Sequence, residues 1–224
     1  AKLGLISLLF AEAVGLFFGI LCAQFRGKWP DYLLMVVAVL GIALPSMVLG
    51  PILRMIFGVK LGILPVTGWG KPNQIILPAL VLGLGTVAGN TRNMRASMLA
   101  ITTQDYVKTA RAKGLSPIRV VLKHQFKNSL VPIIPNLGVQ IAGVLMGSFV
   151  VESMFLIPGL GRYFVDSVTN LDYPLIMGLT VFYGAFLVTM NLIVDVLYGL
   201  IDPRIRVKSV SYTHLRAHET DQYL

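Results

Sequence analysis

Glu12, Asn191 and Asp195 stand inside long apolar runs, where an ionisable or strongly polar side chain needs a partner or a function. Asn191 and Asp195 are four residues apart and share one face of a helix. Residues of these types at such depth serve a substrate path or a proton relay. They also make interhelical hydrogen bonds, or, for Asp195, a salt bridge to a nearby basic residue. Both readings stay open for Glu12, while a structural ion pair is the stronger reading for Asp195. His214 and His218, also four apart, form half of a metal site by spacing, but they lie in a tail of different character. The single cysteine, Cys22, sits in an apolar run and reads as a small packing residue. No Ser/His/Asp or metal constellation converges at one depth, and no GxxxxGK[ST] phosphate loop occurs. The chain is therefore expected to be no enzyme, with no catalytic residue, no cofactor and no metal.

The elements that position these residues follow from composition. The 224 residues are 55% hydrophobic and 13% charged, with a mean hydropathy of +0.76. Soluble domains carry roughly 25% charged residues, so the balance points to a membrane protein. A span needs about 20 apolar residues as helix, since lipid leaves no partner for free backbone groups. Five stretches qualify: Leu3–Phe25, Tyr32–Phe57, Ile75–Met94, Val131–Val151 and Pro174–Ile201. Pro45 is expected to kink the second. Gly85/Gly89 and Gly143/Gly147 are two GxxxG patterns expected to mark close helix packing, within the chain or against a second subunit.

The net charge of +9 resides between the apolar runs, which argues for the positive-inside rule and against nucleic acid. Placing the gap at Arg26–Lys28, the long polar insert and the C-terminal end on one side puts thirteen Lys and Arg there against five opposite. The insert and C-terminus are thus expected to be cytoplasmic. The N-terminus then lies outside, and one further helix upstream of Ala1 is expected, six spans in all. The loop Gly58–Asn73 reads as an ordered, turn-rich cap. Within Glu152–Tyr173, Pro158-Gly159 marks a turn and Leu160–Val168 a short amphipathic helix. From about Ser209 the chain turns polar and aperiodic. SYTHLRAHET there resembles translated sequencing-adapter read-through, so 209–224 is taken as a non-native or disordered tail and 1–208 as the membrane domain.

The insert, about residues 101–130, parses as helix, turn, helix. Thr102 or Thr103 caps a first helix with Asp105 in its first turn and Lys108, Arg111 and Lys113 toward its end. Gly114 falls where a left-handed residue is wanted, with Leu115 as the following hydrophobic contact. Ser116-Pro117 restarts the chain as N-cap and first residue of a second helix. On it Ile118, Val121, Leu122, Phe126 and Leu130 fall on one face, with Arg119, Lys123 and Lys127 on another. A basic amphipathic loop on anionic lipid is one reading. The first helix is too short and weakly apolar for that (Tyr106, Val107, Ala110), and its small residues and glycine turn suit a protein groove better.

Residues 105–136, DYVKTARAKGLS…VVLKHQFKNSLVPII, resemble the cytoplasmic coupling (EAA) loop of ABC-transporter permeases, in the dipeptide/oligopeptide (and nickel) branch of the binding-protein-dependent importers. RGKWPDYLLMVVAVLGIALPSMVLGPIL, ILPALVLGLGTVAGNTRNMRASML, VVESMFLIPGLGRYFVDSVTNLDYPLI and LIVDVLYGLIDPRIR follow the same family in the same order, over Leu3 to about Val207. The resemblance implies an all-α polytopic helix bundle in a bacterial or archaeal cytoplasmic (inner) membrane. It forms half of a translocation pathway for peptides or similar small solutes, nickel chelates and glutathione-like ligands among them. Implied partners are a homologous second permease, two ABC ATPase subunits, an extracytoplasmic solute-binding protein and the lipid bilayer. Asp105, Tyr106, Lys108, Thr109, Ala110, Arg111, Ala112, Lys113, Gly114, Leu115 and Ser116 would form the ATPase-coupling element, with Thr103–Leu115 moving as a rigid lever.

The sequence departs from the family pattern in two places. Lys108-Thr109-Ala110 stands where the motif begins Glu-Ala-Ala, and His124–Lys127 stands in place of its Ile-x-Leu-Pro, which leaves the coupling role intact but weakens the carry-over of a specific glutamate contact. The competing class is an ion-gradient-driven secondary transporter, for which the membrane carboxylates would be essential and the docking module superfluous. An intramembrane enzyme is a weaker third reading.

Overall fold

The computed structural model describes residues 2–145 and 148–201, and all regular secondary structure among them is helical. Helix α1 (Lys2–Gln24) lies against α4 (Pro72–Thr102), which is 31 residues long and runs well past the apolar stretch read from sequence. Their contact depends on small residues: Ala11, Gly15, Gly19 and Cys22 recur along the buried face of α1. A Cβ on Gly15 would stand 2.7 Å from the Cβ of Asn90, and one on Gly19 would collide with Met94. The two backbones thus approach as only glycine permits. Among the described residues, the GxxxG patterns at Gly85/Gly89 and Gly143/Gly147 do not do this within the chain. Gly89 faces open space and Gly85 approaches only the Gly41 carbonyl, at 3.9 Å from a notional Cβ. Gly143 also faces open space, and Gly147 lies outside the described residues.

The second apolar stretch is a broken span rather than a kinked one. Helix α2 (Trp29–Ala43) ends at Leu44, whose backbone is extended at ψ 111°. The proline that follows disfavours a helical conformation there. Helix α3 (Ser46–Leu53) then departs with its π-helical continuation Arg54–Lys60, at 109° to α2. The fourth stretch is divided as well. Helix α8 (Ile134–Leu145) has 12 residues. Its rise is roughly 18 Å, too short for a hydrocarbon core of about 30 Å. Ser148 has an extended backbone, and its hydroxyl caps α9 (Phe149–Met154) by accepting from the Val151 N–H at 3.3 Å. Three helices are long and apolar enough to cross a membrane, α1, α4 and the first part of α11 (Tyr173–Ile201), with the bent pair as a fourth. The polytopic all-α bundle stands, and the fourth expected span includes residues 146–147, outside the described residues. Large apolar side chains of α2 and α11, such as Val36, Val181, Val188 and Leu192, are exposed, a surface suited to hydrocarbon or a second subunit.

Three apolar clusters follow α4 from end to end. Leu77 and Val81 pack with Val151, Phe155 and Ile157, beneath the loop that carries Leu64 and Trp69. Met94 and Met98 pack with Ile133, against Leu16 and Ile20 of α1. At the other end Val107, Ala110 and Val120 pack with Ile101 and Leu115 inside the insert. The turn-rich cap runs over 61–71 and uses positive φ at Gly62, Gly68 and Gly70. The short amphipathic helix appears as α10 (Leu160–Thr169).

Candidate functional site

The insert is two helical pieces closed by a left-handed turn. Helix α5 (Asp105–Ala112) begins at Gln104, not at a threonine. Thr102 and Thr103 instead bond back to the carbonyls of Met98 (2.7 Å) and Ala100 (3.0 Å), so they close α4. At the far end of α5 the glycine turn has the Schellman pattern. Gly114, at φ +73°, donates its N–H to Arg111 (2.9 Å), and Leu115 donates to Ala110 (3.4 Å). Leu115 then closes over the Val107–Ala110–Val120 cluster. The returning piece runs from α6 (Pro117–Arg119) through a π-helix (Val120–Phe126) into α7 (Lys127–Ser129), with Ser116 as its N-cap and Pro117 in its first turn.

The apolar face of the returning piece is covered in part: Val121 and Phe126 pack against the Met94–Met98 cluster, and Leu130 is half-buried. Ile118 and Leu122 are exposed, whereas Val120, Gln125 and Ser129 are buried. A wider helical turn rotates every later side chain away from its position on a regular helix. Among the coupling residues Ala110 is buried and Leu115 half-buried; the other nine are exposed, from Asp105 to Ser116. Basic Lys108, Arg111 and Lys113 dominate that surface. The exposed Lys108–Asp105 pair at 2.9 Å adds little stability.

Gln125, a residue the sequence reading passed over, ties the insert to the spans. It is buried, donates to Thr102 Oγ1 at the end of α4 (3.0 Å) and accepts from Gln24 at the end of α1 (3.2 Å). One turn on, the Ser129 carbonyl accepts from Ser97 of α4 (2.8 Å). A second anchor lies nearby. Asp31, buried at the start of α2, takes both arms of Arg95 on α4 at 2.7 Å each and a third bond from the Gly27 N–H at 3.0 Å. Such a bidentate, charge-assisted pair is strong and fixed in geometry. The only signal in the sequence was an acid at the edge of an apolar run with arginines one span away. The insert is thus bonded directly to α1 and α4, and the Asp31–Arg95 pair joins α4 in turn to α2.

Within the bundle, the structure places Glu12 in a hydrogen-bonded chain. Asn90 Nδ2 donates to Glu12 Oε1 (2.7 Å), and Gln140 Nε2 of α8 donates to Asn90 Oδ1 (3.0 Å). Asn191 is exposed on α11, and the side chain of Asp195 lies outside the described residues, as do His214 and His218 and the tail from Ser209. The membrane carboxylates are thus not brought to one site by what is described.

At the end of the bundle remote from the insert, the Glu152 carboxylate receives the Gly161 N–H at 2.8 Å, at the start of α10. Side chains on Gly159 or Gly161 would occupy the space of that carboxylate. Burial pushes the Glu152 carboxyl above its ordinary value of 4.5, while the N–H groups of Gly161 and Arg162 pull it down. A raised folded value means that protonation favours the fold. The contribution is present below 4.5 and is lost as pH rises through the folded value. The melting midpoint in detergent should therefore fall over that window, and Glu152→Gln should flatten the dependence. Parallel curves for the two proteins would contradict it.

Residues 15–207 match the binding-protein-dependent transport system inner membrane component family. The dipeptide transport system permease protein DppB of Bacillus subtilis is 44% identical over 206 residues, 92% of this chain and 67% of that protein. The oligopeptide permease OppB of Haemophilus influenzae is 42% identical over 92% of this chain and 68% of its own length. The glutathione permease GsiC of Escherichia coli K12 is 44% identical over 90% and 66%. The chain spans about two thirds of the length of these relatives. Among solved structures, the inward-facing MetNI methionine ABC transporter aligns at a TM-score of 0.68 with 16% identity, over 90% of this chain and 92% of that one. An amino acid ABC transporter with histidines aligns at 0.65 with 17% identity, over 88% of each chain. At such identity these two establish the fold alone.

Proposed function

Since the chain belongs to the binding-protein-dependent transport system inner membrane component family, we propose that it carries peptides, and that its basic insert is the point through which a separate ATPase drives it. The chain is a permease subunit of an ABC importer rather than an ion-driven carrier. The observation that carries the coupling role is the combination of nine exposed residues on a glycine-closed helix and turn with polar anchors from the insert to α1 and α4. A lipid-facing loop would need neither. ATP hydrolysis takes place in two ATPase subunits, on the side of the membrane where the insert and C-terminus lie, which is the cytoplasmic side. A homologous permease supplies the other half of the pathway, and an extracytoplasmic binding protein delivers the solute to the end formed by the cap, α9 and α10. Peptides are the favoured solutes because the relatives named for dipeptide, oligopeptide and glutathione transport match over nine tenths of the chain.

Purification of the native subunit in mild detergent, with mass spectrometry of what accompanies it, tests this reading. The expected result is an ABC ATPase and a second permease in the same particle. Recovery of the chain alone across several detergents would overturn it.

A further inference from the structure

We infer that Glu12, Asn90 and Gln140 form an intramembrane contact for the ammonium group of the transported solute, an assignment that rests on the peptide reading above. Asn90, 1% exposed, is enclosed between α1, α4 and α8. A carboxylate offers acceptors only, so beside Glu12 the Asn90 amide must present its NH2, which leaves its carbonyl oxygen toward α8. That oxygen in turn takes the NH2 of Gln140. The polarity set at Glu12 is passed along the chain, and its consequence is specific. Glu12 Oε2 and Gln140 Oε1 are both buried and both lack a hydrogen-bond partner. Two acceptors, one of them charged, stand on either side of a single asparagine. Buried polar atoms of this kind are costly unless something supplies donors.

The ligand chemistry follows from that pair. A hard divalent cation takes roughly six to eight oxygens and finds too few here. An anion meets the wrong charge. A primary ammonium brings three donors and a positive charge, which suits a carboxylate acceptor first and an amide carbonyl next to it in the chain of bonds. A cavity lies one turn from the cluster, along both α4 and α8. Asn93 lies one turn from Asn90 on α4, and Asn136 one turn from Gln140 on α8. Both are exposed, and with Ser97 and Pro132 they line a cavity of about 260 Å³. Polar side chains turned outward from spans are disfavoured against lipid, so this seam between α4 and α8 is suited to water and solute.

Glu12→Gln separates a ligand contact from helix glue. It keeps the carbonyl that accepts from Asn90 and replaces the free acceptor with an NH2 donor. Helix glue would be unaffected or improved, because an unpaired buried charge is gone. The test uses the complete transporter in proteoliposomes, with binding protein preloaded with a peptide that has a free amino terminus. Uptake per loaded binding protein should fall at least about tenfold, the loss expected for one charge-assisted hydrogen bond, with the melting midpoint unchanged or raised. Glu12→Asp, which keeps the charged acceptor, should restore part of the uptake. Wild-type uptake in Glu12→Gln, or a loss of uptake matched by a loss of melting midpoint, would overturn the assignment. A wild-type transporter that moves no peptide from loaded binding protein would overturn the peptide reading itself, and this control distinguishes the two failures.

Discussion

Gly114→Val should leave the chain inserted and assembled but abolish coupling between ATP hydrolysis and uptake. The glycine stands at φ +73°, and a notional Cβ meets nothing within 4 Å, so the whole penalty is conformational. Left-handed backbone costs an ordinary residue ~1–2 kcal/mol, and a β-branched one fares worse. Relaxing that strain requires the turn to open. Opening breaks the bonds from Gly114 to Arg111 and from Leu115 to Ala110, and lifts Leu115 from the Val107–Val120 cluster. Helix α5 then no longer holds a fixed angle to the π-helix that contains Gln125, and motion of the exposed surface is not passed to the spans. ATP hydrolysis and uptake measured in the same proteoliposomes check this. Loss of uptake with hydrolysis retained is expected, Gly114→Ala falling between the two. Normal uptake per ATP in the valine variant would remove the lever assignment.

The second large effect is expected at the ion pair between α2 and α4. Asp31→Asn leaves the Arg95 guanidinium without its carboxylate, at a site where the Asp31 side chain is 2% and the Arg95 side chain 27% exposed. Removing one partner of a buried pair costs ~3–5 kcal/mol, and the partial exposure of Arg95 sets the expectation at the lower end of that range. The melting midpoint of the detergent-solubilised subunit should fall clearly for Asp31→Asn and for Arg95→Met. The double variant should fall by less than the sum of the two, as residues in direct contact do. Unchanged midpoints in both single variants would show that the pair is dispensable.

Features governed by local chemistry were legible in the sequence. The Gly114 turn, the restart at Ser116-Pro117 and the helix after Pro158-Gly159 each depend on a residue type within a few positions, and each is present in the fold. Features that depend on a distant partner were not. Gln125 is an unremarked amide until Gln24 and Thr102, which are remote in sequence, close around it. The same holds for Asp31 with Arg95 and for Asn90 between Glu12 and Gln140. Periodicity misled where the helix departed from its regular pitch. Within the π-helix over Val120–Phe126, Leu122 is exposed and Gln125 is buried. Spacing of glycines was also insufficient, because Gly15 and Gly19 meet a neighbour whereas Gly85 and Gly89 meet almost nothing.

The central claim is that the surface of α5 is where the ATPase docks, and a site-directed crosslink tests it most directly. The only cysteine, Cys22, is buried, so an introduced thiol reacts against a quiet background. Ala112 is exposed on the insert, and Val59, 70% exposed, marks the other end of the molecule. In membranes containing the whole transporter, Ala112→Cys should crosslink to an ATPase subunit through a short bifunctional reagent, and Val59→Cys should not. An ATPase adduct at Val59 with none at Ala112 would contradict the account and place the coupling surface elsewhere.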